Sequence, residues 1–185
     1  MTLRVRLTGV TLADAPSINR WKNDAQIQAL SSDTSSVESV TATENRILRW
    51  QASDPEDIVH FAVRLTADDT LLGFCHLAEI DSPNQRCKLG IVLGEPSTWG
   101  QGFGRETVSC LLEQAQSRGL TRVIAEVYAD NARSARLFER AGFQLEGRLR
   151  ASVFRVDHWV YELVYAWLAP ERIAESSARA TLGSE

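Results

Sequence analysis

The stretch WGQGFGRE (residues 99–106) follows a predicted strand, Arg86–Leu93, and opens a predicted helix from Gly104 to Gly119. Its three glycines alternate within five residues, and each glycine inside a regular element is destabilising by about 0.5–1 kcal/mol relative to alanine. Glycine lets the backbone approach a ligand closely, and a helix start directs unsatisfied N–H groups and its positive dipole end outward. The loop therefore indicates an anion site, with phosphate as the natural ligand.

This loop differs from the two common nucleotide motifs. A Walker loop has four residues between its glycines and then Lys and Ser or Thr, whereas five residues separate Gly94 from Gly100 and Gln101 follows. The spacing from Gly100 through Gly102 to Gly104 is G-x-G-x-G, not the G-x-G-x-x-G of dinucleotide-binding proteins. A purely structural turn between strand and helix is the alternative interpretation.

The size and composition of the chain indicate one ordinary globular domain. The chain has 185 residues, 44% hydrophobic and 24% charged, with a net charge of −4 and a sequence pI near 5.5. We predict a single domain over 1–170 and a partly disordered tail over 171–185. The mild acidity argues against general nucleic-acid binding. No apolar run is long enough for a membrane span or a signal peptide, so we expect no membrane association and a cytoplasmic location.

The cysteines do not indicate a disulfide framework or a metal centre. Cys75, Cys87 and Cys110 are odd in number and widely spaced, which suits small buried thiols in a reducing compartment. No histidine pair has the spacing of metal ligands either, so we predict no metal site.

Hydrophobic periodicity predicts an α/β (α+β mixed) fold. The order is strand, two helices, three strands, helix, strand, helix and two strands, with helices on both faces of the sheet. Asp14 is the predicted cap of the first helix, and the Ser/Thr-rich stretch 31–43 is predicted to be a flexible connection that moves over a site. The second predicted helix is Glu44–Gln51. The predicted strands are Leu3–Leu7, Ile58–Leu65, Leu71–Ile80, Arg86–Leu93, Arg122–Tyr128, Phe143–Leu149 and Phe154–Leu168.

A second stretch, NARSARLFERAGF (residues 131–143), follows a predicted strand and contains a short helix that Asp130 or Asn131 caps. Together the two stretches resemble the GNAT superfamily of N-acetyltransferases. The glycine loop is similar to the family's pyrophosphate loop, and the second stretch to its segment after the fifth strand. Trp99 stands where the general pattern has Gln or Arg. The version found in ribosomal-protein N-terminal (RimJ/RimL-like) acetyltransferases is matched by Gly100, Gly102, Phe103, Gly104 and Glu106.

The resemblance spans residues 3–168 and implies a central mixed, mostly antiparallel sheet of about seven strands with about four helices. It also implies acetyl-CoA as co-substrate. The backbone of Ile91–Leu93 would pair with the pantetheine arm, the amides of 100–105 would hold the pyrophosphate, and Asn131 would lie near the thioester. The implied cofactor residues are Ile91, Val92, Leu93, Trp99, Gly100, Gln101, Gly102, Phe103, Gly104, Arg105, Asn131, Ser134, Arg136 and Phe138. For the two arginines, a solvated helix face is an equal alternative.

The catalytic groups are less visible in the sequence. Many family members carry a Tyr seven residues after the Asn, but Phe138 stands there, and Tyr128 is a possible substitute whose alternative role is packing. Lys88 replaces a Glu that relatives often carry, so no general base carries over. His76 and Glu79 have odd spacing on one strand, so at most one of them should face the acceptor if the strand is regular.

The resemblance implies transfer of acetyl to a primary amine by direct attack, with cofactor placement supplying proximity and Asn131 and Tyr128 as candidate catalytic residues. A protein N-terminus is the first acceptor hypothesis, followed by a small amine, polyamine, amino sugar or antibiotic. The lack of an evident base favours an α-amine, whose pKa of about 7.8 lies below the 10.4 of lysine. A homodimer through the last strands is compatible with the family. A non-catalytic acyl-CoA-binding module is the alternative, because of Phe138 and Lys88.

Overall fold

A seven-stranded sheet forms the centre of the molecule. The structure is a computed structural model that describes residues 3–30, 37–155, 157–170 and 172. The strands are β1 (Val5–Thr8), β2 (Val59–Leu65), β3 (Leu71–Asp81), β4 (Arg86–Leu93), β5 (Arg122–Tyr128), β6 (Gln144–Arg155) and β7 (His158–Leu168). The helices are α1 (Ala15–Lys22), α2 (Ala25–Gln28), α3 (Val40–Gln51), α4 (Phe103–Ser117) and α5 (Ala132–Arg140).

The strand order in the sheet is β1-β2-β3-β4-β5-β7-β6. Strands β1 to β4 form an antiparallel meander, β4 and β5 pair in parallel, and β5, β7 and β6 pair antiparallel. The crossover from β4 to β5 runs through α4, as a parallel connection requires. The predicted mixed, mostly antiparallel sheet is therefore confirmed, and the additional helix is the four-residue α2.

Helices cover both faces of the sheet, and each face has its own apolar core. Cys75 belongs to the core that contains Val108 and Leu111 of α4, whereas its neighbour Phe74 packs with the core that contains Ile18 of α1 and Ile47 of α3. Successive strand side chains point to opposite faces, so the two cores are separated by the sheet. The three cysteines are buried and unbridged, as predicted.

One predicted boundary and one predicted capping bond were wrong for identifiable reasons. Helix α3 begins at Val40 rather than at Glu44, because the Ser39 hydroxyl caps it by accepting from the Ala42 N–H at 3.2 Å. The predicted connection 31–43 thus ends by Ser39, and its residues 31–36 lie outside the described chain. Asp14 precedes α1 but its side chain makes no cap bond, because it accepts from the Thr11 N–H at 2.9 Å and pairs with Arg64.

The last hairpin also differs from the prediction. Strand β6 continues through Phe154 to Arg155, so the first strand of the hairpin ends after Phe154 rather than before it. Its register against β7 shifts twice, which lets a polar, largely exposed segment continue the strand. The hairpin leaves four large apolar side chains exposed, and dimerisation through these strands stays a prediction. They are Leu145, Leu149, Phe154 and Trp159.

Gly94 provides a test of the packing between the sheet and α1. A Cβ at Gly94 would lie 1.9 Å from the ring of Trp21, which is 1% exposed, whereas a Cβ at Gly9 would meet nothing within 4 Å. We expect Gly94→Ala to lower the free energy of unfolding by about 1–3 kcal/mol, the usual range for an overpacked core. Urea unfolding of Gly94→Ala, with Gly9→Ala as the matched control, measures this. Equal stability of the two variants would contradict the packing described here.

Candidate active site

The candidate active site begins where β4 and β5 separate. Within the described chain, the two strands pair over three positions, from Arg86 opposite Arg122 to Lys88 opposite Ile124. Beyond that point β4 runs on to Leu93 and β5 to Tyr128 without pairing to each other. The separation opens a cleft in the middle of the sheet.

The open edge of β4 presents backbone groups of Ile91 and Leu93. The Gly94 N–H donates to the Leu72 carbonyl of β3 at 2.9 Å. Hydrogen-bonded and non-bonded pairs alternate along an antiparallel ladder, so the N–H and C=O groups of Ile91 and Leu93 point away from β3, toward the cleft. The Trp99 indole N–H donates to the Leu93 carbonyl at 2.8 Å, which agrees with that direction. The edge can therefore bind an extended ligand as an added strand would.

The cleft has a volume of about 420 Å³ and passes between the two strands. Side chains of β3, β4, β5, β7, α2 and α5 line it. Of the predicted site residues, it brings together Ile91, Val92, Leu93, Trp99, Tyr128, Asn131, Ser134 and Phe138. The remaining predicted residues, Gly100, Gln101, Gly102, Phe103, Gly104, Arg105 and Arg136, do not line the cleft.

The glycine loop lies next to the cleft and leads into α4. Gly102 is the N-cap of α4 with a φ of +92°, a conformation that L side chains rarely adopt. A Cβ at Gly104 would lie 3.3 Å from Leu137, which lines the cleft and so connects it to the loop. The first amides of α4 have no partner within the helix, so this end favours an anion.

Arg4, which immediately precedes β1, supports the glycine loop. Its Nη2 donates to the Gln101 carbonyl at 2.8 Å, and its Nε donates to the Glu106 carboxylate at 2.8 Å. Its guanidinium also stacks on the Phe103 ring at 4.4 Å. Sequence reasoning missed this residue because 97 positions separate it from Gln101.

Trp99, which departs from the general family pattern, has a structural role at the cleft wall. Besides its bond to Leu93, its ring lies 4.2 Å beneath the guanidinium of Arg133 on α5. Arg133 lines the cleft beside it and was not a predicted site residue. Arg105 and Arg136, which were predicted near the phosphates, are both exposed.

Asn131 and Arg155 hold the α2 segment against the cleft. The Asn131 side-chain oxygen accepts from the Ser134 N–H at 3.0 Å as the cap of α5, and its amide donates to the Leu30 carbonyl at 3.3 Å. Arg155 is 6% exposed and donates to the carbonyls of Gln28 at 3.2 Å and Ala29 at 2.7 Å. These bonds satisfy carbonyls that the end of α2 leaves without helical partners.

Phe138 and Tyr128 occupy different environments around the cleft. Phe138 is 2% exposed and packs on Phe143 with ring centroids 5.1 Å apart. Tyr128 is 7% exposed, ends β5, and lies against the Arg155 guanidinium at 4.3 Å. Tyr128 thus packs against Arg155 and also lines the cleft.

The part of the cleft beyond the open edge is acidic. Glu79, Glu126 and Glu162 line it together with Lys88, whose ammonium lies 3.0 Å from Glu79 and 2.9 Å from Glu126. Burial opposes protonation of Lys88, but its bonds to Glu126 and Glu79 outweigh that effect and raise its pKa. A surplus of carboxylates favours a cationic ligand here.

The expectation that at most one of His76 and Glu79 faces the acceptor assumed a regular strand, and both residues line the cleft. Strand β3 is irregular there, with a register shift between Ala78 and Asp81 and a φ of +50° at Glu79. This bulge changes the alternation that the odd spacing assumed.

His76, which lines the cleft, and His60 form a partly buried pair. Their rings are 5.5 Å apart, and His60 stacks on Trp50 at 4.6 Å. Burial lowers the pKa of His76, and burial together with His76 lowers the pKa of His60 to about 4. The Nδ1 of His60 is buried without a hydrogen-bond partner among the described residues. Both rings are therefore neutral at pH 7.

A family model described as an acetyltransferase (GNAT) domain matches residues 4–144. The chain belongs to the GNAT acetyltransferase family. Membership makes it an acyltransferase, and acetyl-CoA is the co-substrate of that family. No group of three or more His, Cys, Asp or Glu side chains in the described residues is placed to hold a metal ion. No helix in the same residues has the length and apolar character needed to cross a membrane.

Individual relatives agree with this family. An uncharacterized N-acetyltransferase, p20, of Bacillus licheniformis is 28% identical over 150 residues, which cover 80% of this chain and 84% of p20. The chain spans only 21% of another curated relative, MJ1062 of Methanocaldococcus jannaschii.

Two solved structures share the GNAT fold with this chain. The spermidine N-acetyltransferase of Vibrio cholerae, in complex with CoA and spermine, superposes with a TM-score of 0.82 and 20% identity over 93% of this chain and 99% of its own. RimL, the ribosomal L7/L12 α-N-protein acetyltransferase in complex with CoA, superposes with a TM-score of 0.81 and 19% identity. The match covers 91% of this chain and 96% of RimL. These identities show the fold alone, so the ribosomal-protein branch stays a prediction.

The partly buried His60 of this GNAT domain should make stability depend on pH. Its folded pKa of about 4 lies below the reference pKa of about 6.5, so the unfolded chain binds more protons between these values. The free energy of unfolding should therefore fall as the pH is lowered from about 6.5 to 4. We expect the free energy of unfolding of His60→Gln to decrease less than that of the parent over this pH range. Urea unfolding across that pH range, with the exposed His158→Gln as control, measures the difference. Parallel curves for His60→Gln and the parent would contradict the assignment.

Proposed function

We propose that this chain transfers the acetyl group of acetyl-CoA to a primary amine that binds at the acidic part of the cleft. The observation that carries the proposal is the open edge of β4, which lies between the N-terminus of α4 and the carboxylates of Glu79 and Glu126. One side of the opening favours phosphate, and the other favours a cation.

The open edge supports the predicted placement of the cofactor. The N–H and C=O groups of Ile91 and Leu93 that point into the cleft suit the amides of a pantetheine arm. The first amides of α4 suit the pyrophosphate. We propose that the Ile91 N–H polarises the thioester carbonyl, as a donor aimed at developing negative charge does.

The reaction we propose is direct. The neutral acceptor amine attacks the thioester carbonyl, the new N–C bond forms, and the C–S bond breaks to release the CoA thiolate. The nitrogen loses one proton as the amide forms, and the thiolate takes up one proton, so the step is balanced. Placement of the two reactants supplies much of the rate. Phe138 cannot donate that proton, and the hydroxyl of Tyr128, a residue of the cleft wall, is the donor that we propose.

The charge of the cleft also bears on the acceptor. Three carboxylates and one ammonium line its acidic part, which favours an acceptor with an amine that is protonated in solution. A protein N-terminal α-amine and a small cationic amine both have this property. The non-catalytic acyl-CoA-binding alternative is not favoured by membership in an acetyltransferase family.

Gly102→Asp tests the cofactor site. The substitution places a carboxylate against the proposed pyrophosphate position, so we expect it to abolish CoA binding. In the parent, CoA at about 100 times its Kd should stabilise the fold by about 2.7 kcal/mol and raise Tm. Gly119→Asp is the matched control, because Gly119 follows the other end of α4 and also has a positive φ, +73° against +92° for Gly102. Thermal unfolding with and without CoA compares the three proteins.

The same proteins test turnover. Thiol release from acetyl-CoA is followed with a panel of peptide N-termini, monoamines, polyamines and amino sugars. We expect activity in the parent and Gly119→Asp, and none in Gly102→Asp. Unchanged CoA affinity in a folded Gly102→Asp protein would contradict the cofactor site. Binding of acetyl-CoA without transfer to any amine would instead favour the acyl-CoA-binding alternative.

Tyr128→Phe tests the proton donor. General acid assistance contributes about 10²–10⁴-fold, and a CoA thiol is a fairly good leaving group that water can also protonate. We therefore expect Tyr128→Phe to reduce kcat within that range while measurable turnover remains, and Phe138→Tyr to keep CoA binding. Tyr161→Phe is the control, since Tyr161 stacks on Arg148 at 4.7 Å, away from the cleft. Measurement of kcat across pH checks this. A loss of more than about 10⁴-fold in folded Tyr128→Phe would contradict the expectation that the reaction can proceed without this acid.

A further inference from the structure

Lys88 makes an unusual contact in the acidic part of the cleft. Its ammonium lies between two carboxylates, 3.0 Å from an oxygen of Glu79 and 2.9 Å from an oxygen of Glu126. The three residues belong to three neighbouring strands, β3, β4 and β5. Lys88 is also the last residue of β4 that pairs with β5, so its side chain lies where the cleft begins.

The backbone arranges this contact from both sides. The bulge in β3, with its φ of +50° at Glu79, brings that side chain to the cleft wall. Glu126 lies on β5 two residues after Ile124, the partner of Lys88, and so on the same face of the strand as Ile124. An ammonium held by two carboxylates is the arrangement that a bound amine acceptor would itself adopt at such a site.

Lys88 therefore changes the charge available to an acceptor. Without its ammonium, Glu79, Glu126 and Glu162 would present three negative charges to the cleft. With it, two of the carboxylates already have a cationic partner, and Glu162 accepts from the Ser152 hydroxyl at 2.5 Å. One ammonium of an acceptor can pair with Glu162, whose bond to Ser152 leaves its negative charge in place. A second ammonium must displace Lys88 from Glu79 and Glu126 or share a carboxylate with it.

We propose that Lys88 is a specificity-determining residue of the acceptor site: its ammonium occupies, between Glu79 and Glu126, the position that a second ammonium of a diamine would take, and so favours acceptors with one ammonium. This inference rests on the proposed function, because it assumes that the acceptor amine binds in the same cleft. It concerns the selection of the acceptor and not the transfer step.

The test compares the binding of 1,4-diaminobutane and 1-aminobutane to the CoA complex by calorimetry. We expect Lys88→Met to increase the ratio of diamine to monoamine affinity by about tenfold, since a unit charge at contact distance has an effect between its weak value in water and its stronger value near a protein surface. Lys88→Arg should keep the parent ratio. Arg86→Met is the matched control, because Arg86 lies two residues earlier on β4, pairs with Asp81 at 2.9 Å, and is outside the cleft.

The outcomes separate this proposal from the proposed function. An unchanged ratio in folded Lys88→Met, or the same change in Arg86→Met, would overturn the role of Lys88 even if acetyl transfer is observed. Failure of both amines to bind the CoA complex of Lys88→Met would overturn it as well. A changed ratio without any acetyl transfer would support the charge site and contradict the proposed function. Loss of CoA affinity in Lys88→Met with an unchanged ratio would assign Lys88 to the cofactor instead.

A second measurement requires no stable variant at position 88. Lys22 and Lys88 are the only lysines in the sequence, so isotope-labelled lysine gives two side-chain signals in a nuclear magnetic resonance spectrum. Saturating 1,4-diaminobutane should shift the Lys88 signal in the parent protein and leave the Lys22 signal, which serves as the internal reference. A bound diamine that shifts neither signal would overturn the proposal.

Discussion

The separation of β4 from β5 after Lys88 is the constraint on which the rest of the site depends. Two adjacent parallel strands would ordinarily continue their ladder, because unpaired backbone groups in a protein interior are destabilising. Here the strands diverge, and the Ile91 and Leu93 backbone groups remain open toward the cleft. The Trp99 indole satisfies the Leu93 carbonyl. The molecule thus keeps an incomplete sheet at its centre, which a ligand with amide groups can complete.

The sequence predicted those parts of the fold and site that depend on short-range patterns. The alternate glycines after a strand indicated the loop and the start of α4, and the bounds of β4 and β5 were predicted to the residue. One local prediction was wrong because of a helix cap. Residues Val40–Thr43 were predicted to belong to a polar connection, but they form the first turn of α3, which the Ser39 hydroxyl caps and the fully buried Thr43 anchors. Propensity is a weak guide where a cap and tertiary burial act together.

Most of the cleft wall was not predictable, because contacts between distant segments form it. Arg133 is held at the site by the contact of its guanidinium with the Trp99 ring. Leu30 is held there by the Asn131 side-chain amide, which donates to the Leu30 carbonyl across 101 positions of sequence. Glu79 enters the cleft through a β-bulge that a period of two does not reveal. The position of Glu126 could have been inferred, since it lies two residues before Tyr128 on β5 and so on the same face of the strand. The sequence does not show, however, that this face lines a cleft where β4 separates from β5.

The opening in the sheet also joins two regions of opposite electrostatic preference. The first amides of α4 and the guanidinium of Arg133 lie on one side, whereas Glu79, Glu126 and Glu162 lie on the other. A cofactor whose phosphates are at one end and whose thioester is at the other would be attracted by the helix end and repelled by the carboxylates, so one orientation is favoured. A cationic acceptor meets the reverse field. In the proposed function, the same charge distribution would orient both reactants toward the open edge of β4, where proximity can act on the thioester.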